Sequence, residues 1–193
     1  RELFGAGDLK LCHICNHRKM HFDVNYAPFN YSGVAADAVK RFKFRRCAWY
    51  GRYFAAYMAD EVKNENIKAD YILYPPVNRK TYVKRGYNQS EYLARGIAQE
   101  LGVECDFGSV RRSRYNASQV SRSAAERWDN VEGIFGVRHP ERLQGKHILL
   151  VDDVFTTGAT IISLGETILR AVPSARLSVA VLATTRRSLR LEP

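Results

Sequence analysis

The sequence lacks several features that would place the chain in a well-known class. No run reaches the roughly 18 apolar residues of a membrane-spanning helix, and the first residues lack the charged-then-apolar pattern of a signal peptide. The four cysteines suit a reducing compartment better than a disulfide framework. These absences favour a cytoplasmic protein. The chain begins at Arg1 with no methionine before Met20, which predicts a leading segment ahead of it.

Acidic residues are fewer than basic residues. The chain has 20 Asp and Glu against 30 Lys and Arg, so its formal net charge is +10. This excess predicts a basic surface that binds an anionic partner. The 46% hydrophobic and 26% charged contents exclude a disordered or low-complexity chain, and 193 residues fit a single domain with one core.

Helical and strand-like segments alternate along the chain. Apolar residues recur at helical spacing in four segments: 32–42, 50–62, 88–101 and 160–170. Apolar runs typical of strands lie at 70–74, 147–151 and 177–182, with weaker strand or turn patterns at 21–31 and 107–110 and a short helix from 123. This alternation predicts an α/β fold with a mostly parallel twisted sheet flanked by helices. Ligands of such sheets bind in loops at the C-terminal ends of the strands.

The segment 148–160 is the most informative part of the sequence. A buried strand runs into two adjacent carboxylates, Asp152 and Asp153, and small residues then open a helix. Backbone N–H groups at a helix N-terminus favour an anion, and Gly158 permits close approach of a ligand. The carboxylates would face sugar hydroxyls or a metal that carries phosphate. We therefore expect a phosphate cradle at Thr156, Thr157, Gly158, Ala159 and Thr160.

Other interpretations of this segment require other sequence features. An ordinary helix N-terminus with threonine caps beside a solvated aspartate pair is the purely structural alternative. A receiver domain would carry a phospho-accepting aspartate further along, yet no Asp follows Asp153. A P-loop hydrolase needs the segment G-x-x-x-x-G-K-[ST], which the chain lacks.

The strand, the acid pair and the Thr-Thr-Gly-x-Thr turn resemble the motif with which type I phosphoribosyltransferases bind phosphoribosyl diphosphate (PRPP). The longer pattern resembles the ComF (competence protein F) family within that superfamily. The resemblance covers about residues 11–185 and is strongest in three segments: 75–89, 111–135 and 148–160. It implies a phosphoribosyltransferase-like domain over 31–193 behind a short N-terminal cysteine segment at 1–30.

The resemblance gives roles to two basic segments. Within 75–89, the run Arg85-Gly-Tyr-Asn-Gln matches the family, which implies a diphosphate-binding loop that contains Val77, Asn78, Arg79 and Arg85. Composition alone would equally allow a solvated basic loop. The segment 111–127 resembles the flexible loop of the family, which is expected to close over PRPP with Arg112, Arg114, Gln119 and Arg122. An exposed linker is the alternative there.

Two further clusters have less specific meanings. Residues 40–46 hold five cations and two phenylalanines, a pattern that fits either a nucleic-acid surface or the cationic end of a helix with Phe42 in the core. We favour the helix end. Cys12 and Cys15 have half of a zinc-ribbon spacing, so Zn²⁺ binding would need ligands from elsewhere.

The resemblance implies a function that depends on Mg²⁺. The domain would bind PRPP, join an unidentified nitrogenous base to C1 and release diphosphate, with Asp152 and Asp153 as catalytic residues. The alternative is a module of the DNA-uptake machinery that binds PRPP or a nucleotide without turnover. Such a module would contact single-stranded DNA or a helicase partner.

Overall fold

The computed structural model describes residues 22, 25–45, 47–112 and 133–185. Several predictions concern residues outside these ranges. They are the cysteine pair at 12 and 15, the short helix from 123, and the loop residues Arg114, Gln119 and Arg122.

The described residues form alternating strands and helices, as the periodicity predicts. The strands are β1 (Asn25–Tyr26), β2 (Phe29–Asn30), β3 (Tyr71–Leu73), β4 (Glu104–Cys105), β5 (Val110–Arg112), β6 (Phe135–Val137), β7 (His147–Phe155) and β8 (Arg176–Thr184). The helices are α1 (Gly33–Phe44), α2 (Tyr50–Asn64), α3 (Arg79–Arg85), α4 (Gln89–Leu101), α5 (Pro140–Leu143) and α6 (Ala159–Ala171).

The main sheet is parallel throughout its described strands. Its order is β1-β8-β7-β3-β4, and β2 also pairs with β8. Strands β5 and β6 form a separate antiparallel pair. The prediction of a mostly parallel α/β sheet with flanking helices is therefore confirmed.

Strand β7 runs through the middle of the sheet and is buried on both faces. Leu149 and Val151 pack into a core with α1, α2 and α4, whereas Ile148 and Leu150 pack into a second core with α6. All four side chains have no exposed surface. Because successive side chains of a strand point to opposite faces, a continuous apolar run is needed where helices cover both.

The structure corrects three local predictions. The basic residues of 79–85 form helix α3, not a loop, because the Asn78 side chain accepts a hydrogen bond from the Thr81 N–H at 2.7 Å and Gly86 ends the helix in the left-handed region. The aspartate pair lies within β7, which continues to Phe155 alongside β8. The weak strand expected at 107–110 lies slightly later, at β5.

No helix in the described ranges combines the length and the apolar content that a bilayer span requires.

Helices α2 and α4 pack closely because a glycine lies at their contact. A Cβ at Gly96 would overlap the Cβ of Ala55. We expect Gly96→Ala to lower the free energy of unfolding by about 1–3 kcal/mol, since the overlap outweighs the better helix propensity of alanine. Chemical denaturation followed by circular dichroism measures this change.

Gly108→Ala is the matched control, because a Cβ there would make only ordinary contacts, at 3.9 Å from His139 and 4.0 Å from Asp106. We expect it to change stability by no more than about 0.5 kcal/mol. Equal stability of the Gly96→Ala variant and the wild type would show that the helices are not held this closely.

Candidate functional site

A cavity of about 500 Å³ opens at the C-terminal ends of β3 and β7. The resemblance and the topology both predict a ligand site at this end of the sheet. The cavity is lined by Tyr31, Lys43, Pro75, Pro76, Val77, Asn78, Thr81, Arg85, Asn88, Gln89, Ser90, Arg112, Asp152, Asp153, Val154, Thr156 and Thr160.

The two carboxylates at the end of β7 have different partners. Oδ1 of Asp152 accepts hydrogen bonds from the Ser90 hydroxyl at 2.6 Å and from the Asp153 backbone N–H at 2.9 Å. Oδ1 of Asp153 lies 2.8 Å from Nζ of Lys43, and Asp153 is only 7% exposed. Three separate elements, β7, α4 and α1, therefore meet at the acid pair.

The charges of this cluster shift the pKa values of its members. Burial, followed by the negative charge of Asp153, raises the pKa of Asp152 to about 6, although the Ser90 hydrogen bond and Lys43 oppose the shift. Burial alone would lower the pKa of Lys43, but its attraction to Asp153 and Asp152 and its hydrogen bond to Asp153 raise it above the usual value.

The N-terminus of helix α6 forms the adjacent part of the cavity wall. Gly158 precedes the helix with a φ of +74°, and a Cβ there would overlap the ring of Phe155. Only glycine fits this turn without strain. Thr156 and Thr160 line the cavity, so the positive end of the helix dipole lies beside it.

The run Arg85-Gly-Tyr-Asn-Gln mainly fixes the neighbouring elements. The Tyr87 hydroxyl donates to the Phe42 carbonyl, and Nε2 of Gln89 donates to the Lys43 carbonyl at 3.4 Å. Asn88 caps α4 by accepting from the Ser90 N–H, and it donates to the Pro75 carbonyl at 3.0 Å. Arg85 lines the cavity while its Nη1 donates to Gln89 at 2.9 Å. These contacts hold the end of α1 against the site.

Arg112 contributes a cation from the β5–β6 pair. Its Nε is buried and has no hydrogen-bond partner among the described residues, and burial lowers the pKa of its guanidinium. Its neighbour Arg111 is exposed and does not line the cavity. A buried guanidinium N–H without a partner is costly, so this geometry favours an anionic ligand at Arg112.

The structure brings together most, but not all, of the predicted site residues that it describes. Asp152, Asp153, Thr156, Thr160, Val77, Asn78, Arg85 and Arg112 line the cavity. Arg79 is exposed on α3 and does not line it, and neither do Thr157, Gly158 and Ala159, which shape the turn behind it.

Sequence reasoning missed Lys43 and Ser90. Lys43 belongs to the cluster that was assigned to a helix end, and α1 does include it, with Phe42 fully buried. Ser90 lies in the predicted helical segment 88–101, where nothing in the pattern distinguishes it from a helix-start residue. A cation or hydroxyl on the cavity side of a helix carries no local signal, because its partner lies about 60 to 110 residues away in sequence.

The architecture and the site together define an α/β protein with a polar cavity at the C-terminal ends of its strands, next to a helix N-terminus. A family model described as the phosphoribosyl transferase domain matches residues 88–193, which is more than half of the chain. The chain belongs to this family, and its relatives place it with the ComF (competence protein F) proteins.

The relatives carry names connected with DNA and competence. Over 101 residues the chain is 35% identical to the DNA utilization protein YhgH of Escherichia coli strain K12, a match that covers 52% of this chain and 44% of the relative. Competence protein F of Haemophilus influenzae is 26% identical over 156 residues, 78% of this chain and 68% of the relative. The chain thus spans less than half the length of YhgH.

Among solved structures, the chain is similar to glutamine PRPP amidotransferase from B. subtilis in complex with ADP and GMP. The identity is 19% and the TM-score is 0.46, with 68% of this chain and 26% of that chain covered.

Neutralising Asp152 is expected to stabilise the fold at neutral pH. Its pKa lies above the unfolded value of about 3.9, so its ionisation costs folding free energy as the pH rises from about 4 to 6 and costs most above about 6. Asn at position 152 keeps the accepting oxygen but removes the repulsion from Asp153. We expect Asp152→Asn to raise stability by about 1–3 kcal/mol above pH ~6 and by little below pH ~4.

Asp153→Asn is the matched control, because it leaves the partly buried Lys43 ammonium without its anion and should destabilise the fold. Thermal unfolding of both variants between about pH 4 and 8 measures the two effects. The same shift in both variants would contradict the different environments of the two carboxylates.

Proposed function

We propose that the domain binds PRPP with Mg²⁺ and transfers its phosphoribosyl group to a nitrogenous base, releasing diphosphate. The observation that carries this proposal is the convergence on one cavity of a partly buried acid pair, a helix N-terminus and a guanidinium whose Nε is buried. Membership of the phosphoribosyl transferase family supports the same ligand.

Each part of PRPP has a chemically matched partner in the cavity. The 5-phosphate would bind at the N-terminus of α6, where Thr156 and Thr160 line the wall. The ribose hydroxyls would donate to Asp152 and Asp153, which are acceptors when ionised. The diphosphate would bind Arg112 and the backbone of 76–78, because a guanidinium forms strong paired hydrogen bonds with phosphate oxygens.

The donor set fits a Mg²⁺ that arrives on the ligand. Mg²⁺ prefers oxygen ligands and is commonly held by one or two carboxylates together with substrate phosphates. The acid pair offers carboxylate oxygens, and no group of three or more His, Cys, Asp or Glu that could hold a metal occurs within the described ranges. Bound Mg²⁺ would help neutralise the charge on the diphosphate. A Zn²⁺ site at Cys12 and Cys15 stays a prediction.

The transfer needs little covalent chemistry from the protein. The bond between C1 and the diphosphate oxygen breaks, and its electron pair leaves with the diphosphate. A nitrogen of the base bonds to C1, and the proton of that nitrogen passes to the solvent or to the released diphosphate. Arg112 and the helix N-terminus would stabilise the phosphate charge, while the acid pair would fix the ribose in position.

The second candidate function is a DNA-contacting module of the competence machinery. Exposed cations and an exposed ring lie at the end of α1, where Arg41 and Arg45 accompany Phe44, which is 63% exposed. Trp49, which directly precedes α2, is 61% exposed. Cations with exposed rings suit single-stranded DNA, since the phosphates bind the cations and the bases stack on the rings. The names of the relatives favour this candidate too.

Isothermal titration with PRPP and Mg²⁺ tests the ligand. We expect Arg112→Gln to weaken PRPP binding by about tenfold or more, because a charge-assisted contact inside the cavity is lost. Arg111→Gln, on the exposed side of the same strand, should stay within about twofold. Absence of binding to the wild type would overturn the proposal, and equal weakening by both changes would remove Arg112 from the site. Diphosphate release with one base from a panel would establish the transfer.

Fluorescence anisotropy with labelled single-stranded DNA tests the second candidate. We expect the double change Arg41→Ala and Arg45→Ala to weaken binding by about threefold or more and to reduce its salt dependence. The matched control replaces Arg138, which directly follows β6, and Arg170, which lies on α6; both are also exposed. Equal losses in both double variants would indicate a general charge effect rather than a surface at α1.

A further inference from the structure

In the described part of the site, Lys43 is the cation that forms an ion pair with the acid pair. Its Nζ lies 2.8 Å from Oδ1 of Asp153, and the two side chains are only 20% and 10% exposed. Asp152 also attracts the ammonium, whereas Arg85 repels it. The ammonium therefore already occupies one of the two carboxylate oxygens through which Asp153 could bind a cation.

The backbone around Lys43 is fixed in place by residues outside its own helix. The Phe42 ring is fully buried and packs near Phe54 and Tyr87. The carbonyls of Phe42 and Lys43 accept hydrogen bonds from Tyr87 and Gln89. The buried Phe42 ring and the two carbonyl hydrogen bonds hold this turn of α1 in place, so that Lys43 extends into the cavity. Packing of the turn therefore determines where the Lys43 ammonium lies.

The contacts also limit what the acid pair can offer to a free metal ion. One oxygen of Asp153 is paired with the Lys43 ammonium, and one oxygen of Asp152 already accepts two hydrogen bonds. A divalent cation at Asp153 would have to displace Lys43 or lie beside its positive charge. Like charges at such distances in a partly buried site repel strongly.

We propose that Lys43 is the resident counter-cation of the acid pair, which prevents the empty site from binding a free divalent cation and lets the metal enter only on the phosphates of the ligand. The inference rests on the proposed function for the identity of that ligand. In the protein without ligand, Lys43 also offsets the cost of burying Asp153.

Manganese binding in the absence of PRPP tests the inference directly. Mn²⁺ is a paramagnetic probe of magnesium sites, and its free fraction can be read from electron paramagnetic resonance. We expect no saturable site at the acid pair of the wild type at submillimolar Mn²⁺. We expect Lys43→Met to bind Mn²⁺ about tenfold or more tightly than the wild type, since the repelling charge is removed and a carboxylate is released.

Two further variants make the result specific. Lys40→Met removes an exposed cation from the same helix, one that pairs with Asp37 on the surface, and should leave Mn²⁺ binding unchanged. The double change Lys43→Met and Asp153→Asn should abolish the gain. Lys43→Gln serves the same purpose with a polar side chain if the methionine variant does not fold, as judged by circular dichroism.

Three outcomes would overturn the inference: a saturable Mn²⁺ site at the acid pair of the wild type, no gain in either Lys43 variant, or a gain that survives Asp153→Asn. Adding PRPP to the wild type provides a separate result, because tight Mn²⁺ uptake should then occur. Failure of that uptake alone would count against PRPP as the ligand and would leave the role of Lys43 in the empty site intact.

Discussion

The structure depends on one constraint: strand β7 must be apolar on both faces in its first half and must nevertheless carry two carboxylates near its end. Its first half is buried between two hydrophobic cores, which fixes its place in the middle of the sheet. Strand β7 continues through Asp152 and Asp153 alongside β8. The pairing therefore fixes the position of the backbone that carries the two carboxylates. The other parts of the site are arranged around these two groups.

Placing two carboxylates at the end of a buried strand costs free energy, and the surrounding elements offset part of that cost. Helix α4 supplies the Ser90 hydroxyl to Asp152, and helix α1 supplies the Lys43 ammonium to Asp153. The compensation is incomplete at Asp152, whose pKa stays raised. A group that is kept ionised at such a cost is typical of a binding or catalytic site, where a ligand supplies the remaining stabilisation.

The sequence predicts those features that depend on local pattern. The apolar run at 147–151 indicates a central strand, and the glycine turn at 158 indicates the start of a helix, because each signal lies within a few residues. Helix α3 could have been found from Asn78 and Gly86, which cap its two ends, but its many cations favoured a loop. Lys43 and Ser90 could not be assigned, since their roles depend on how α1 and α4 pack against β7. Contacts between elements that are distant in sequence leave no periodic pattern from which they could be predicted.

The distribution of cations shows why a net charge of +10 is an incomplete guide to function. Several cations are engaged within the fold: Arg95 pairs with Glu91 and lies over the Phe107 ring, and Arg142 contacts Glu104 and Asp106. Such cations stabilise the fold and add little to ligand binding. Arg112 differs, because its buried Nε has no partner among the described residues and lies at the cavity. A single buried cation whose N–H lacks a partner among the described residues is therefore stronger evidence for an anionic ligand than the total charge. The free-energy cost of its desolvation is compensated only when the ligand binds.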